Sequence, residues 1–389
     1  MKTKLKGNIV TPIRIIPNGE LNFENGIITY VGSRKNDDNL FECLDFGENY
    51  ISPGFIDLHV HGGGGSDFMD GTEEAFLKIA SLHQSHGTTS LLATTLTCPD
   101  EELFNIFDVF DGIKGKNIKN CLYGLHLEGP YFAKTQKGAQ DEKYIKFPTR
   151  EHYGLILEKG GKYIKRWSVA PELEGAMELG RILSEKGILP SMGHSDAEYE
   201  TALEAFENGY THLTHFYSGM STITRKGGFR HPGLIESGYM LGDLTVEIIA
   251  DGCHLPPSLL RYIYTAKGAD KTALVTDSLR GAGTSSRTMI LGSLTSGYEV
   301  IIEDGVAKLP DRSAFAGSIA TTDRLVRNMI KYASAPLTDA VKMMTYTPAR
   351  IANMKNKGLL RVGFDADIAV FDDNINIKAV FISGSLVSE

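Results

Sequence analysis

Between residues 54 and 277 the chain repeats one alternation, a short apolar run followed by a stretch with apolar residues at helical spacing. Eight runs read as strands, at 54–61, 90–97, 122–129, 167–172, 189–194, 212–217, 245–251 and 272–277. Helical periodicity fills most of the intervals. In one of them Tyr199, Ala202, Leu203 and Phe206 fall on a single face. Strands that alternate with helices build parallel sheets, because a parallel crossover needs a connection of helix length. Eight such units predict an α/β fold, a (β/α)8 TIM-like barrel. The rival is an open doubly wound sheet, whose usual GxGxxG turn is missing. The four glycines at 62–65 do not match that spacing.

The two ends read differently. Short strands and turns fill 1–52 and 348–389, and they predict one small β-sandwich built from both termini. The barrel then spans 53–347, with a β-rich insertion near 284–316. A net charge of −8 and the lack of a basic run exclude the electrostatic footprint of a nucleic-acid protein. No run approaches the roughly 18 apolar residues of a membrane span. The N-terminus has no signal-peptide core. A cytoplasmic enzyme is expected. The four cysteines form no CxxC pair, which argues against a zinc ribbon or a redox motif.

Barrel enzymes build their sites at the C-terminal ends of the strands. Those ends carry His59 and His61, Glu128, His194, His215, Asp251 with His254 just beyond, and Asp277. Residues i and i+2 of a strand share a face, so His59 and His61 point together into the barrel mouth and can hold a metal. Glu128 can bind one metal or bridge two. His126 shares its face and reads as an outer or structural residue. His212 is expected on the face opposite His215, in a structural role. An aspartate beside a metal-activated water is the natural general base, which is the role read for Asp277. Arg230, in a glycine-flanked loop, and His254 read as an anion site, since a guanidinium holds a phosphate bidentately.

SPGFIDLHVHG near the start and GFDADIAVFD near the end resemble the amidohydrolase superfamily. LHLEGPYF, KGAQ, GHSDA, THLTHFYSGMS, FRHPGL, IADGCH and LVTDS resemble, in order, the N-acetylglucosamine-6-phosphate deacetylases. The resemblance implies hydrolysis of the acetamide of a phosphorylated N-acetyl amino sugar. It implies a divalent metal, one or two per subunit. Zinc suits the ligands, and iron, manganese or cobalt also fit them. Glu128, His194 and His215 would be the main ligands, His59 and His61 a second position, and Asp277 the base and a further metal ligand. Ala139, Gln140, Phe315, Ala316 and Gly317 would contact the sugar. Ser218, Gly219, Arg230 and His254 would form the phosphate end, partly across a homodimer interface. The chain departs from the family where Ser218-Gly219 stands for a common Asn-Ala, Gln140 for a His that some members carry and His231 for a frequent Glu. N-acetylgalactosamine 6-phosphate, the C4 epimer, is therefore an alternative substrate.

Overall fold

Eight parallel strands form the central sheet of the computed structural model, which describes residues 2–35, 41–116 and 118–388. In barrel order they are Phe55–Val60, Thr88–Thr95, Leu122–Glu128, Ile164–Val169, Leu189–Met192, His212–Leu213, Thr245–Ile248 and Thr272–Leu274. The first and last meet through backbone bonds just past the eighth strand. Asp277 N donates to His59 O at 2.9 Å, and His61 N donates to Ser278 O at 2.9 Å. Every residue of the first two strands is buried. This is the pattern of parallel strands covered on both faces, and it explains their near-continuous apolar and Thr composition. The helices turn an apolar stripe to the sheet. In Glu73–Ser85 that stripe includes Ala75, Phe76, Ile79 and Ala80, and Thr72 caps the first turn by accepting from Ala75 N.

Six of the eight strands are shorter than their apolar runs predict, and the fourth starts three residues earlier, at Ile164; the sixth and eighth shorten for a visible reason. The sixth stops at Leu213 because the chain turns at its end, with φ of +28° at His215 and +83° at Tyr217. Sheet-like bonds persist through the turn, from Thr214 N to Met192 O at 2.8 Å and from Phe216 N to Glu247 O at 2.8 Å. The eighth stops at Leu274, and Asp277 adopts φ +47°. Left-handed backbone is unfavourable for these residue types and persists only where surrounding contacts hold it.

A seven-stranded sheet joins the two termini, in the order Ser385–Ser388, Ile377–Ile382, Ile368–Phe371, Glu42–Pro53, Lys2–Val10, Ile15–Glu24 and Ile27–Ser33. Phe23 and Phe381 have three strands between them, which in a flat sheet would part them by about 19 Å at ~4.8 Å per strand. Their ring centroids are 5.9 Å apart. The sheet therefore curls over a core of its own containing Leu5, Leu21, Ile51, Ile368 and Val370. Ala366 N donating to Gly26 O at 2.8 Å ties the segment entering Ile368–Phe371 to the turn between Ile15–Glu24 and Ile27–Ser33. The outermost limits of the expected sandwich, residues 1 and 389, lie outside the described residues.

The insertion is a four-stranded antiparallel sheet, Thr288–Leu291, Tyr298–Glu303, Val306–Lys308 and Phe315–Ser318. Its last strand lies against the end of the eighth barrel strand, with Ser318 N donating to Asp277 O at 2.9 Å. That contact carries Phe315, Ala316 and Gly317 to the barrel mouth. No helix among the described residues is long and apolar enough to cross a membrane.

Candidate active site

Glu128 ends the third strand, and its side chain is the hub of the mouth. His194 Nε2 lies 3.1 Å and His215 Nε2 3.0 Å from Glu128 Oε1, and the two nitrogens are 3.1 Å apart. The other ring nitrogens are committed. His194 Nδ1 donates to Gln136 O at 2.8 Å and His215 Nδ1 to Ser218 O at 3.1 Å. In the neutral rings these bonds leave each Nε2 with a free lone pair. Two imidazole lone pairs and a carboxylate oxygen converge at contact distance, an arrangement that fits a cation and disfavours anything else. A second set is contiguous with the first. His59 Nε2 and His61 Nε2 are 3.1 Å apart, 3.4 Å from Glu128 Oε1 and 3.3 Å from Glu128 Oε2 respectively. Asp277 Oδ1 sits 3.5 Å from His59 Nε2 and 3.2 Å from His61 Nε2.

The electrostatics favour positive charge here. Burial alone would pull the two imidazoles down. The carboxylates of Glu128 and Asp277 outweigh it and raise His59 to about 9 and His61 to about 10. Burial likewise pushes Glu128 up, and His59, His194 and His215 more than reverse it. Asp277 is held below its ordinary value against its burial, by His59 and His61. Both carboxylates are thus anionic at neutral pH.

Beneath the mouth lies a buried ionic floor. Arg166 and Glu247, both fully buried, pair through Nη1–Oε2 at 2.5 Å and Nη2–Oε1 at 2.8 Å. Glu247 Oε1 also accepts from His59 Nδ1 at 3.1 Å and from His215 N at 3.0 Å, so one carboxylate aims a ring and anchors the sixth strand's turn. His61 differs, since its Nδ1 has no partner among the described residues. Glu247 is held well below its ordinary value, because Arg166, with His212 and His59, outweighs burial. Glu247→Ala would strand a buried guanidinium and is expected to cost about 3–5 kcal/mol in a denaturant titration. A depressed carboxyl stabilises above its unfolded value of about 4.3, and that stability is lost as pH falls toward the folded one.

The chain matches the Amidohydrolase family model over residues 50–387. It is 34% identical over 348 residues to the N-acetylglucosamine-6-phosphate deacetylase of Lysinibacillus sphaericus, covering 88% of this chain and 87% of that one. Against the Bacillus subtilis protein of the same name the identity is 30%, covering 97% and 95%. An aspartate-to-alanine mutant of the Mycobacterium smegmatis deacetylase, solved with N-acetyl-D-glucosamine 6-phosphate, superposes with a TM-score of 0.91 at 27% identity over 100% of both chains. The Pasteurella multocida deacetylase superposes at 0.92, with 27% identity and 99% coverage of each. The chain belongs to the N-acetylglucosamine-6-phosphate deacetylase family.

In this deacetylase-family chain most of the residues read from the sequence meet at one cavity. Glu128, His61, His194, His215 and Asp277 line its floor. Ala139, Gln140, Phe315, Ala316 and Gly317 form walls, and Ser218, Gly219 and His254 lie on the rim side. His59 sits below, behind His61. Gly219 has φ +58°, and a Cβ there would lie 3.0 Å from His194 Nδ1, the atom whose hydrogen bond aims that ring. Glycine keeps that bond undisturbed. Asp251 is not at the metal centre. Its Oδ2 accepts from His254 Nδ1 at 2.8 Å and so directs the opposite nitrogen of His254 outward from the pair.

Arg230 does not join them within one chain. It lies on an exposed hairpin, Thr224–Lys226 paired with Phe229–His231 across Gly227-Gly228, and its Nη1 donates to Gly228 O at 3.2 Å. The expectation that it joins His254 in one anion site is not met within one chain, where Arg230 is exposed and lies outside the cavity that His254 lines. His212 also departs from its expected face. It lies inside the barrel with Nε2 3.2 Å from Glu247 Oε2, in the structural role expected of it. His215 reaches the same interior because the backbone turns between them. His126 is structural too, bonding Ser168 Oγ at 2.8 Å. Arg166 and Glu247 were missed by sequence reasoning. The signal was partial: Glu247 is the one charge within TVEI, whereas Arg166 stands beside Lys165 in IKRWSV, ahead of the predicted strand.

Proposed function

We propose that the protein hydrolyses the acetamide of N-acetylglucosamine 6-phosphate, giving glucosamine 6-phosphate and acetate, with a divalent metal. The observation that carries this reading is the convergence of two bare imidazole nitrogens on Glu128 Oε1, with the anionic Asp277 carboxylate beside the adjoining His61. Glu128, His194 and His215 would hold the metal, zinc being favoured by the donor set, and His59 and His61 would hold a second. When bound, the metal supplies Lewis acidity toward the acetamide carbonyl and the attacking water.

The chain's own residues do the rest. Asp277 accepts a proton from the water as the water oxygen bonds to the acetamide carbon. The C–N bond then breaks, Asp277 returns the proton to the departing amine nitrogen, and acetate leaves. The walls at Ala139 and Phe315–Gly317 orient the sugar. Ser218, Gly219 and His254 face the phosphate, whose remote binding holds the acetamide over the floor. The exposed hairpin supports a homodimer in which Arg230 completes the phosphate end of the partner's site. We place the reaction in the cytoplasm, where phosphorylated sugars are retained. N-acetylgalactosamine 6-phosphate is the second reading, supported by the shorter Ser218 side chain at the sugar's phosphate end.

The test is acetate release from both epimers, with and without the 6-phosphate. The gluco phosphosugar is expected to lead, and a preference for the unphosphorylated sugars would refute the assignment. Arg230→Ala removes a charge-assisted contact worth about 1.5–3 kcal/mol, so kcat/KM for the phosphosugar should fall roughly 10–150-fold while the unphosphorylated sugar changes little. Mixing Arg230→Ala subunits with His215→Ala subunits should restore activity, because one mixed site then has both an intact floor and an intact arm. Failure to complement would place Arg230 outside the partner's site.

A further inference from the structure

The Gln140 side chain is turned toward a proposed metal ligand, Glu128, and not toward the open cavity. It is buried at the cavity wall. Its carbonyl oxygen accepts from Thr97 N at 2.8 Å, and a backbone N–H can bond only an acceptor. That fixes the amide's orientation, so the NH2 group faces inward and donates to Glu128 Oε2 at 2.7 Å. The loop carrying Gln140 is itself clamped. Gln140 N donates to Lys137 O at 2.9 Å, and the Tyr298 hydroxyl, from the inserted sheet, donates to Ala139 O. Thr97 is held in turn against Gly129. A Cβ on Gly129, at φ +100°, would fall 2.4 Å from Thr97 Oγ1. Glycine after Glu128 therefore allows the close approach that places Thr97 N under the amide.

From this we infer that Gln140 is a positioning residue for the metal centre proposed above, acting through Glu128 and not primarily through the substrate carbonyl. Glu128 has two oxygens and one side-chain torsion that exchanges them. With Oε2 tied to the Gln140 amide, rotation is blocked and Oε1 stays between His194 and His215. The same bond leaves Oε2 3.3 Å from His61 Nε2, so one carboxylate faces both imidazole sets at once. A neutral donor does this without adding charge. A protonated imidazole at the same place would compete with the cation for Glu128. The inserted sheet thereby acquires a role in the chemistry: through Tyr298 and the 137–140 loop it stiffens the hub ligand.

Metal affinity measured without substrate separates this role from a substrate contact. Zn²⁺ and Co²⁺ dissociation constants would be taken by competition with a chromophoric chelator, together with the visible spectrum of the Co²⁺ form. Gln140→Met keeps length and packing but removes the donor. It is expected to weaken Zn²⁺ binding about 10–100-fold, the range for loss of a partner that orients a metal ligand, to alter the Co²⁺ spectrum, and to lower kcat more than it raises KM. Gln140→Leu, which also lacks a donor, should show the same loss, and serves as the working variant if the methionine protein folds poorly. If wild type binds metal and Gln140→Met binds it equally tightly with an unchanged spectrum, and only KM rises, the positioning role is overturned and the metal centre stands. If wild type binds neither ion, the metal centre itself fails.

Discussion

Asp277→Asn should lower kcat by at least ~10²–10⁴-fold while leaving KM for the phosphosugar nearly unchanged, because it keeps the shape of the side chain and removes the proton acceptor. The position supports so large an effect. Asp277 Oδ1 is 3.2 Å from His61 Nε2, the residue is buried, and its φ of +47° turns the side chain toward the floor. Its neighbours His59 and His61 hold the carboxyl below its ordinary value despite burial. The base is therefore ready throughout the neutral range, and the acid limb of kcat should lie on the acid side of the ordinary aspartate range. Metal content should not change in this variant. A rate near wild type would demote Asp277 to a structural turn residue whose backbone joins the barrel to the inserted sheet.

Loss of His215 should be more damaging still. His215→Ala removes one of the two bare nitrogens on Glu128 Oε1, and none of the neighbouring side chains can replace it, since His194 already occupies the other side and His59 is turned by Glu247 toward the adjoining set. Metal retention through gel filtration and turnover should both vanish. His59→Ala should mainly lower occupancy of the second position and leave a measurable rate. Full metal and full activity in His215→Ala would show that the primary site lies elsewhere. The folded state should survive His215→Ala, whose ring makes no bond to the Arg166–Glu247 floor, whereas His59→Ala also removes a donor to Glu247 and should cost some stability.

The barrel and the ligand residues were legible in the sequence because both depend on local spacing. A strand's period of two puts His59 and His61 on one face, and the ends of apolar runs mark where Glu128, His194 and Asp277 emerge. The same logic misplaced His212 relative to His215, because the intervening backbone leaves the extended region and a two-residue period no longer applies. Left-handed φ at His194, His215 and Asp277 is held by tertiary hydrogen bonds, which a linear pattern does not display. Arg166 and Glu247 face each other across the barrel, separated by 81 positions, and their pairing becomes visible only when the sheet closes. The Gln140 amide has the same origin: its direction is set by Thr97, on the far side of a strand and a loop. Arg230 shows the opposite limit. A basic residue in a glycine-rich loop signals an anion, and the loop's path away from its own cavity is a property of the folded hairpin.

Metal-free protein, prepared with a chelator and verified by elemental analysis, offers the most direct examination of metal-dependent deacetylation. Zn²⁺ would be returned in steps, with acetate and free amine from N-acetylglucosamine 6-phosphate measured at each. Both products should appear in equal amounts, at a rate that is negligible without metal and climbs in proportion to the first equivalent bound per chain. Wild-type acetate release from protein that holds no metal would contradict the account.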